Sequence, residues 1–352
     1  MTIPYDASEL NEISVLMRWR GTIMAMVLTR PVIWILVGVH YFFLHIHLER
    51  DDIEMPKLPW AIVGVPTALL TFFLVFYSGN CFARYYALYG KCMAMNGAVM
   101  SWVGLCRIFF NSASSETLWN LSRHLLASVY VLYFTLGGDA SDGGKLITER
   151  EWATIMRHRL LSEQERRQLQ AYTGFKPFLL QCWALSTVAE YLASDAKRAG
   201  GAGLGPFQKQ AFALRADCSE VVNTLAQPVP FPYFHVVTFM LSVNLVLVAY
   251  ALIFFETYLS VPCFFVTCLV MQGLKEVAVS LSDPFGGDDV DFPVSQYTQS
   301  MLDNAKALIS SDAVYKPGTY LELPPDKAAV GHMAGGPLTL SSISNGKGSL
   351  QA

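Results

Sequence analysis

The segment Ser280-Leu-Ser-Asp-Pro-Phe-Gly-Gly-Asp-Asp-Val-Asp-Phe292 carries the densest chemistry in the chain. Asp288, Asp289 and Asp291 crowd three carboxylates into four residues. A hard cation with several oxygen ligands, carboxylate and carbonyl, gives a reason for such crowding, and calcium fits that description. The spacing is not that of an EF-hand loop, which wants glycine at its sixth position and glutamate at its twelfth. A solvated acidic turn capping the next helix accounts for the same residues, and chemistry alone leaves both readings open. Pro284 ends the helix before it, and Gly286 and Gly287 permit an unusual backbone path.

A second set lies on the charge-free run from Pro59 to Ala83. Ala68, Phe72 and Phe76 stand at i, i+4 and i+8, so they share one helix face. Packing against a neighbouring helix is the ordinary use of such a stripe. The continuation Asn80, Arg84, Tyr85, Tyr86 and Tyr89 is odd for a packed helix end. An intramembrane asparagine and a boundary arginine more often face a bundle interior or a pore than lipid. His40, His45 and His47 have no carboxylate or cysteine to complete a metal set, and interfacial anchoring is the expected role. His235 and Asn244 are polar groups in an apolar run, suited to an outer vestibule or to interhelical hydrogen bonds. No nucleophile-and-base pattern, phosphate loop or cofactor fingerprint appears, so the chain does not read as an enzyme.

These residues need a bilayer to position them. The chain of 352 residues is 53% hydrophobic and 15% charged, against about 25% charged for an average soluble domain. A net charge of -3 offers no bulk basic surface for nucleic acid. Spanning a membrane takes about 20 apolar residues. Four stretches qualify or nearly qualify: Pro31–Leu48, Pro59–Ala83, Val221–Phe255 with its prolines at 228, 230 and 232, and Thr257–Leu274 with a turn at Pro262. Met93–Cys106 is too short to span and reads as a separate buried helix. Arg18, Arg20 and Arg30 precede the first stretch, and Arg84, Lys91 and Arg107 follow the second. The positive-inside rule then places both termini in the cytosol. The amino terminus lacks the pattern of a signal or transit peptide, so the first span is expected to direct insertion. Thr148–Glu151 and Ser162–Glu165 are capping boxes on the cytosolic side. The seven cysteines form no CxxC pair and are expected to be reduced and core-packed.

Both chemical segments resemble the bestrophin family. That family carries a proline-phenylalanine-glycine step and an acidic run just after its last membrane helix, matched here by Pro284, Phe285, Gly286, Asp288, Asp289, Asp291 and Phe292. It also carries an aromatic pore helix running into an arginine-aromatic-aromatic stretch, matched by Phe72, Phe76, Tyr77, Arg84, Tyr85, Tyr86 and Tyr89. Tyr5, Asn11 and Trp19-Arg20-Gly21 are similar to the family's opening.

The resemblance implies an all-α integral membrane protein, with four transmembrane helices per subunit and a helical cytosolic region. Five copies would surround one axial pore, whose neck would be rings of Ala68, Phe72 and Phe76. It implies a calcium site made by the carboxylates of Asp288 and Asp291 and the carbonyls of Ser280 and Asp283, with a carbonyl near Leu10 of the adjacent subunit. A lower aperture falls near Ala202–Phe207, with Leu204 as its residue. The expected organisation is an arm (1–30), a first transmembrane pair with the neck helix (31–83), a cytosolic helical region (84–227), a second pair (228–282), the calcium clasp with its helix (283–315) and a tail (316–352). The implied activity is calcium-gated conduction of chloride and bicarbonate across the lipid bilayer of the cell membrane. Phenylalanine ring edges are electropositive and tolerate an anion, and a narrow apolar neck closes by dewetting. A non-conducting calcium-binding scaffold would keep the acidic run but has no use for the phenylalanine ladder. A secondary carrier would show repeats and midplane charges, and neither is visible.

Overall fold

The computed structural model describes residue 15 and residues 18–50, 55–136, 145–194 and 203–311. Leu10, Ala202 and the tail from residue 312 lie outside the described residues. Among those described there is no strand, and eleven helices follow one another along the chain. They are α1 (Ile23–Leu28), α2 (Pro31–Glu49), α3 (Trp60–Phe109), α4 (Ser115–Thr135), α5 (Glu149–Arg157), α6 (Glu163–Ala171), α7 (Lys176–Ser194), α8 (Gly205–Ala226), α9 (Phe231–Ile253), α10 (Ser260–Ser282) and α11 (Val294–Ser310).

Four of these are long and apolar enough to cross a bilayer: α2, α3, α9 and α10. Their boundaries follow local chemistry. Pro31 opens α2 at a position where no amide donor is needed. Pro228, Pro230 and Pro232 fall between α8 and α9 or in the first turn of α9, so they divide one uncharged run into two helices. The turn before α10 comes at residues 254–259, not at Pro262. Pro262 sits inside the first turn of α10, where its missing N–H costs no hydrogen bond. At the other end Asp283 is extended (φ -132°, ψ 90°), as the residue before a proline prefers. Both capping boxes are formed, Thr148 with Glu151 and Ser162 with Glu165.

The main departure from sequence expectation is α3. It runs unbroken through 50 residues, about 75 Å at 1.5 Å per residue. Met93–Cys106 is its continuation and not a separate helix. The charges at Arg84 and Lys91 mark where the apolar stretch stops, but they do not stop the helix.

The two halves of α3 pack into different cores. The apolar half contributes Val63 and Leu70 to a cluster with Leu241 and Leu245 of α9, Phe264 and Cys268 of α10, and Val27 and Ile33. The other half contributes Met95, Val99, Trp102 and Cys106 to a larger core with α4, α7, α8 and α11. Trp102 is fully buried, donates its indole N–H to the carbonyl of Leu121 (3.0 Å) and meets the ring of Phe207 edge-on. Truncating it to alanine should cost about 3–5 kcal/mol. The seven cysteines form no disulfide; most are buried, though Cys263 is exposed.

Candidate functional site

Ala68, Phe72 and Phe76 fall on one exposed face of α3. Phe72 is 65% and Phe76 59% exposed in the chain by itself. Their rings lie nearly parallel with centroids 6.3 Å apart. The opposite face is occupied: Leu70, Leu74, Tyr77 and Cys81 are buried against α9 and α10. The exposed line continues through Gly79, Ala83, Ala87, Gly90, Ala94 and Gly97. Steps of three and four keep these residues on one face. A Cβ built on Gly79, Gly90 or Gly97 meets nothing within 4 Å, so the chain's own packing does not demand glycine there.

The acidic segment is a tight loop after α10. Asp291 is only 3% exposed, whereas Asp288 and Asp289 are exposed. The backbone N–H of Asp288 donates to the Asp291 carboxylate. The N–H of Asp291 donates to the Asp288 carbonyl (3.2 Å), and the N–H of Phe292 to the Pro284 carbonyl (2.9 Å). Burial pushes the Asp291 carboxyl above the usual aspartate range; the Asp288 N–H opposes this, and the Asp288 charge adds to it. A Cβ on Gly286 would lie 3.3 Å from Asp291 Oδ2, tighter than ordinary contact, so glycine keeps room beside the carboxylate.

This arrangement fits a hard cation in part. The two carboxylates and the Asp283 carbonyl belong to the same loop, and Ser280 lies in the last turn of α10, where carbonyls lack intrahelical partners. Calcium takes six to eight oxygens. Among the described residues no group of three or more His, Cys, Asp or Glu side chains is gathered for a metal. Carbonyls must therefore supply the remainder, and the expected contribution of Leu10 lies outside the described residues.

Two consecutive residues of α3 grip this loop, a feature that the sequence did not disclose. Arg84 Nε donates to the carbonyl of Ser282 (2.9 Å), and its Nη1 donates to that of Gln227 (2.6 Å). Tyr85 donates its hydroxyl to the carbonyl of Val290 (3.1 Å) and lays its ring 4.7 Å from that of Phe292. The aromatic repeat after Arg84 hinted at packing, but nothing in the sequence linked it to partners some 200 residues away.

The remaining candidates resolve differently. His40 is not an interfacial anchor: it is 1% exposed, its Nδ1 lying 2.9 Å from the Ala249 carbonyl and its Nε2 3.2 Å from Ser260 Oγ. His45 stays at the helix end beside Tyr258 and Glu49. Asn244 is buried and accepts a hydrogen bond from Thr67 (2.8 Å), so it joins α9 to α3 and lines no vestibule. His235 is exposed next to Phe231. In the aperture range, Phe207 is fully buried against Trp102, Phe109 and Phe110 and cannot line an opening. Leu204 is the N-cap residue just before α8 and is partly buried against the same core.

The fold and its apolar helices define an integral membrane protein, all-helical in its described residues, with four candidate spans. A family model described as Bacterial/Fungal Bestrophin protein matches residues 5–307, and the chain belongs to the bestrophin family. It is similar in fold to a crystal structure of a bacterial bestrophin homolog from Klebsiella pneumoniae, with a TM-score of 0.67 at 16% identity, covering 79% of this chain and 97% of that one. A single-substitution variant of a Klebsiella pneumoniae homolog gives a TM-score of 0.67 at 15% identity, over 79% and 98%. No curated protein matches the sequence.

Proposed function

We propose that the chain is one subunit of a homopentameric anion channel whose neck is formed by Ala68, Phe72 and Phe76. One observation carries the reading. The exposed line bearing these residues continues past the apolar stretch into the part of α3 that packs in the second core. A face meant only for lipid has no reason to continue beyond the bilayer. A face meant for other copies of the same helix does, and its glycines and alanines suit close approach. Family membership supports anion conduction at the family level. Ring edges turned toward an axis would favour a weakly hydrated anion such as chloride, with bicarbonate as a second permeant ion.

In the same reading Asp288 and Asp291 would hold calcium with the carbonyls of Ser280, Asp283 and a Leu10 from the adjacent subunit. When bound, the ion would add positive charge beside the buried Asp291 carboxylate. Such an ion shifts an open–closed balance only by its differential affinity for the two states. Both termini would lie on the cytosolic side of a cell membrane. The test is a planar-bilayer recording of purified protein under a chloride gradient, with calcium varied on one side. A calcium-dependent current that reverses near the chloride equilibrium potential is expected. A protein that binds calcium without passing current would be a scaffold, and the channel reading would fail.

A further inference from the structure

Three sulfur side chains converge in the core where the second half of α3 meets α8. The Cys218 thiol of α8 points at the thioether of Met95, with the two sulfurs 3.6 Å apart. Cys92 stands three residues before Met95, one turn back on the same face of α3. It is near enough to Cys218 for its charge to act on that thiol. All three residues are fully buried. Gln181 of α7 is 1% exposed and brings its Nε2 to 3.8 Å from Cys218 Sγ, while its Oε1 has no partner among the described residues. The Tyr133 hydroxyl of α4 lies against Cys92. Four helices thus bring two thiols, a thioether, an amide and a phenol to one point inside an apolar core. Cysteine and methionine are ordinary core fillers. Filling space does not call for a glutamine beside them with one end unsatisfied, which costs free energy.

We infer that Cys92, Met95 and Cys218 form a binding site for a soft monovalent metal ion, Cu(I), that clamps α3 to α8. Two sulfurs that share one metal at about 2.3 Å stand roughly 3.8 Å apart at a tetrahedral angle. The 3.6 Å between Cys218 and Met95 therefore needs only a small outward movement. Thiolate and thioether are soft donors, and a set made of them selects Cu(I). Zinc wants four ligands drawn from cysteine, histidine and carboxylate, and no group of three such side chains is gathered among the described residues. Burial and the Asp217 charge push the Cys218 thiol up to about 12, so it stays neutral while no cation is bound. Each cysteine that takes the metal gives up its proton to solvent. The site uses neither the exposed face of α3 nor the acidic loop, so it stands apart from the channel reading.

The experiment uses a parent protein carrying Cys182→Ser and Cys263→Ser, because those two thiols are not buried and would bind the ion themselves. Met95→Leu and Cys218→Ala are made in that parent. Each protein is purified in detergent and titrated with Cu(I), without oxygen and with ascorbate present, against the chromophoric competitor bicinchoninate. Melting temperatures are measured with and without the ion. The parent should bind one Cu(I) per subunit. Met95→Leu keeps the apolar volume and should weaken binding by about tenfold or more, and Cys218→Ala by about 100-fold or more. Cu(I) should raise the melting temperature of the parent and leave that of Cys218→Ala almost unmoved. If the parent fails to compete for Cu(I), the sulfur cluster is packing and the inference is overturned. Equal affinity in parent and variants would place the ion on other thiols and overturn it too. Zinc held as tightly as Cu(I) would overturn the assignment of a soft ion. Should Cys218→Ala fail to fold, Met95→Leu decides the matter by the same titration.

Discussion

Phe72 and Phe76 are large apolar side chains that their own chain leaves uncovered, and that decides what their removal should do. Truncating a core phenylalanine costs about 3–5 kcal/mol of subunit stability. Side chains with most of their surface outside the fold should cost the subunit far less. The double variant Phe72→Ala with Phe76→Ala should therefore fold and assemble, and its current should persist without calcium because the neck stays wet. A well-assembled variant that still closes fully would place the barrier elsewhere. Asp291 allows a thermodynamic test of the loop. Its folded pKa is raised, so the folded state holds the proton more tightly than the unfolded chain does. This residue's share of stability is then present below the ordinary aspartate range and declines as pH rises through the raised folded value. In calcium-free buffer at pH 7, Asp291→Asn should melt no lower than wild type. Added calcium should raise the wild-type melting temperature and leave the variant unmoved. Equal calcium shifts in both would mean that the acidic run is a solvated cap.

Among the elements, α6 depends most on a single ionic group. Glu165 closes its capping box, takes two bonds from Arg123 (2.7 Å each) and lies 2.8 Å from His124 Nε2, so it fastens α6 to α4. Burial alone would raise its pKa, but the His124, Arg123 and Ser162 hydrogen bonds overcome this and hold the carboxyl well below the usual glutamate range. With the folded pKa depressed, the stabilisation is full above the ordinary glutamate pKa and drains away as pH falls below it. Glu165→Gln should lose about 2 kcal/mol or more at pH 7, and its melting temperature should fall less steeply than that of wild type between pH 5 and 3. Parallel pH profiles would show that the ion pair is solvent-screened. The capping boxes behind this were legible because their residues sit three apart. The four spans were legible from uncharged length. The continuity of α3 was not, because hydropathy reports where lipid ends and not where hydrogen bonding ends; no proline follows Pro66 within the helix to stop it. His40 was misjudged for a related reason, since Ala249 and Ser260, which make its burial affordable, lie on other helices. The Phe72–Phe76 stripe and the acidic run could be picked out from spacing, whereas the grip of Arg84 and Tyr85 on that run is purely tertiary.

At the scale of the whole molecule, other copies of α3 cover its exposed line in the proposed assembly. A single helix encloses nothing, so mass measurement of the purified protein in mild detergent should return five subunits. A stable monomer or dimer would remove the pore from the proposal. Such an assembly would contain five α3 rods, each about 75 Å long and each gripped near residue 84. That makes α3 a lever with unequal arms. From Arg84 the arm to Ala68 is about 24 Å, and the arm to Phe109 is about 38 Å. A tilt about that fulcrum moves the Ala68 level roughly two-thirds as far as the Phe109 end, and in the opposite direction. Spreading at the far end of the rods would thus draw the phenylalanine level inward, and gathering there would part it, so a partner pressing on the Phe109 end would work the neck in reverse.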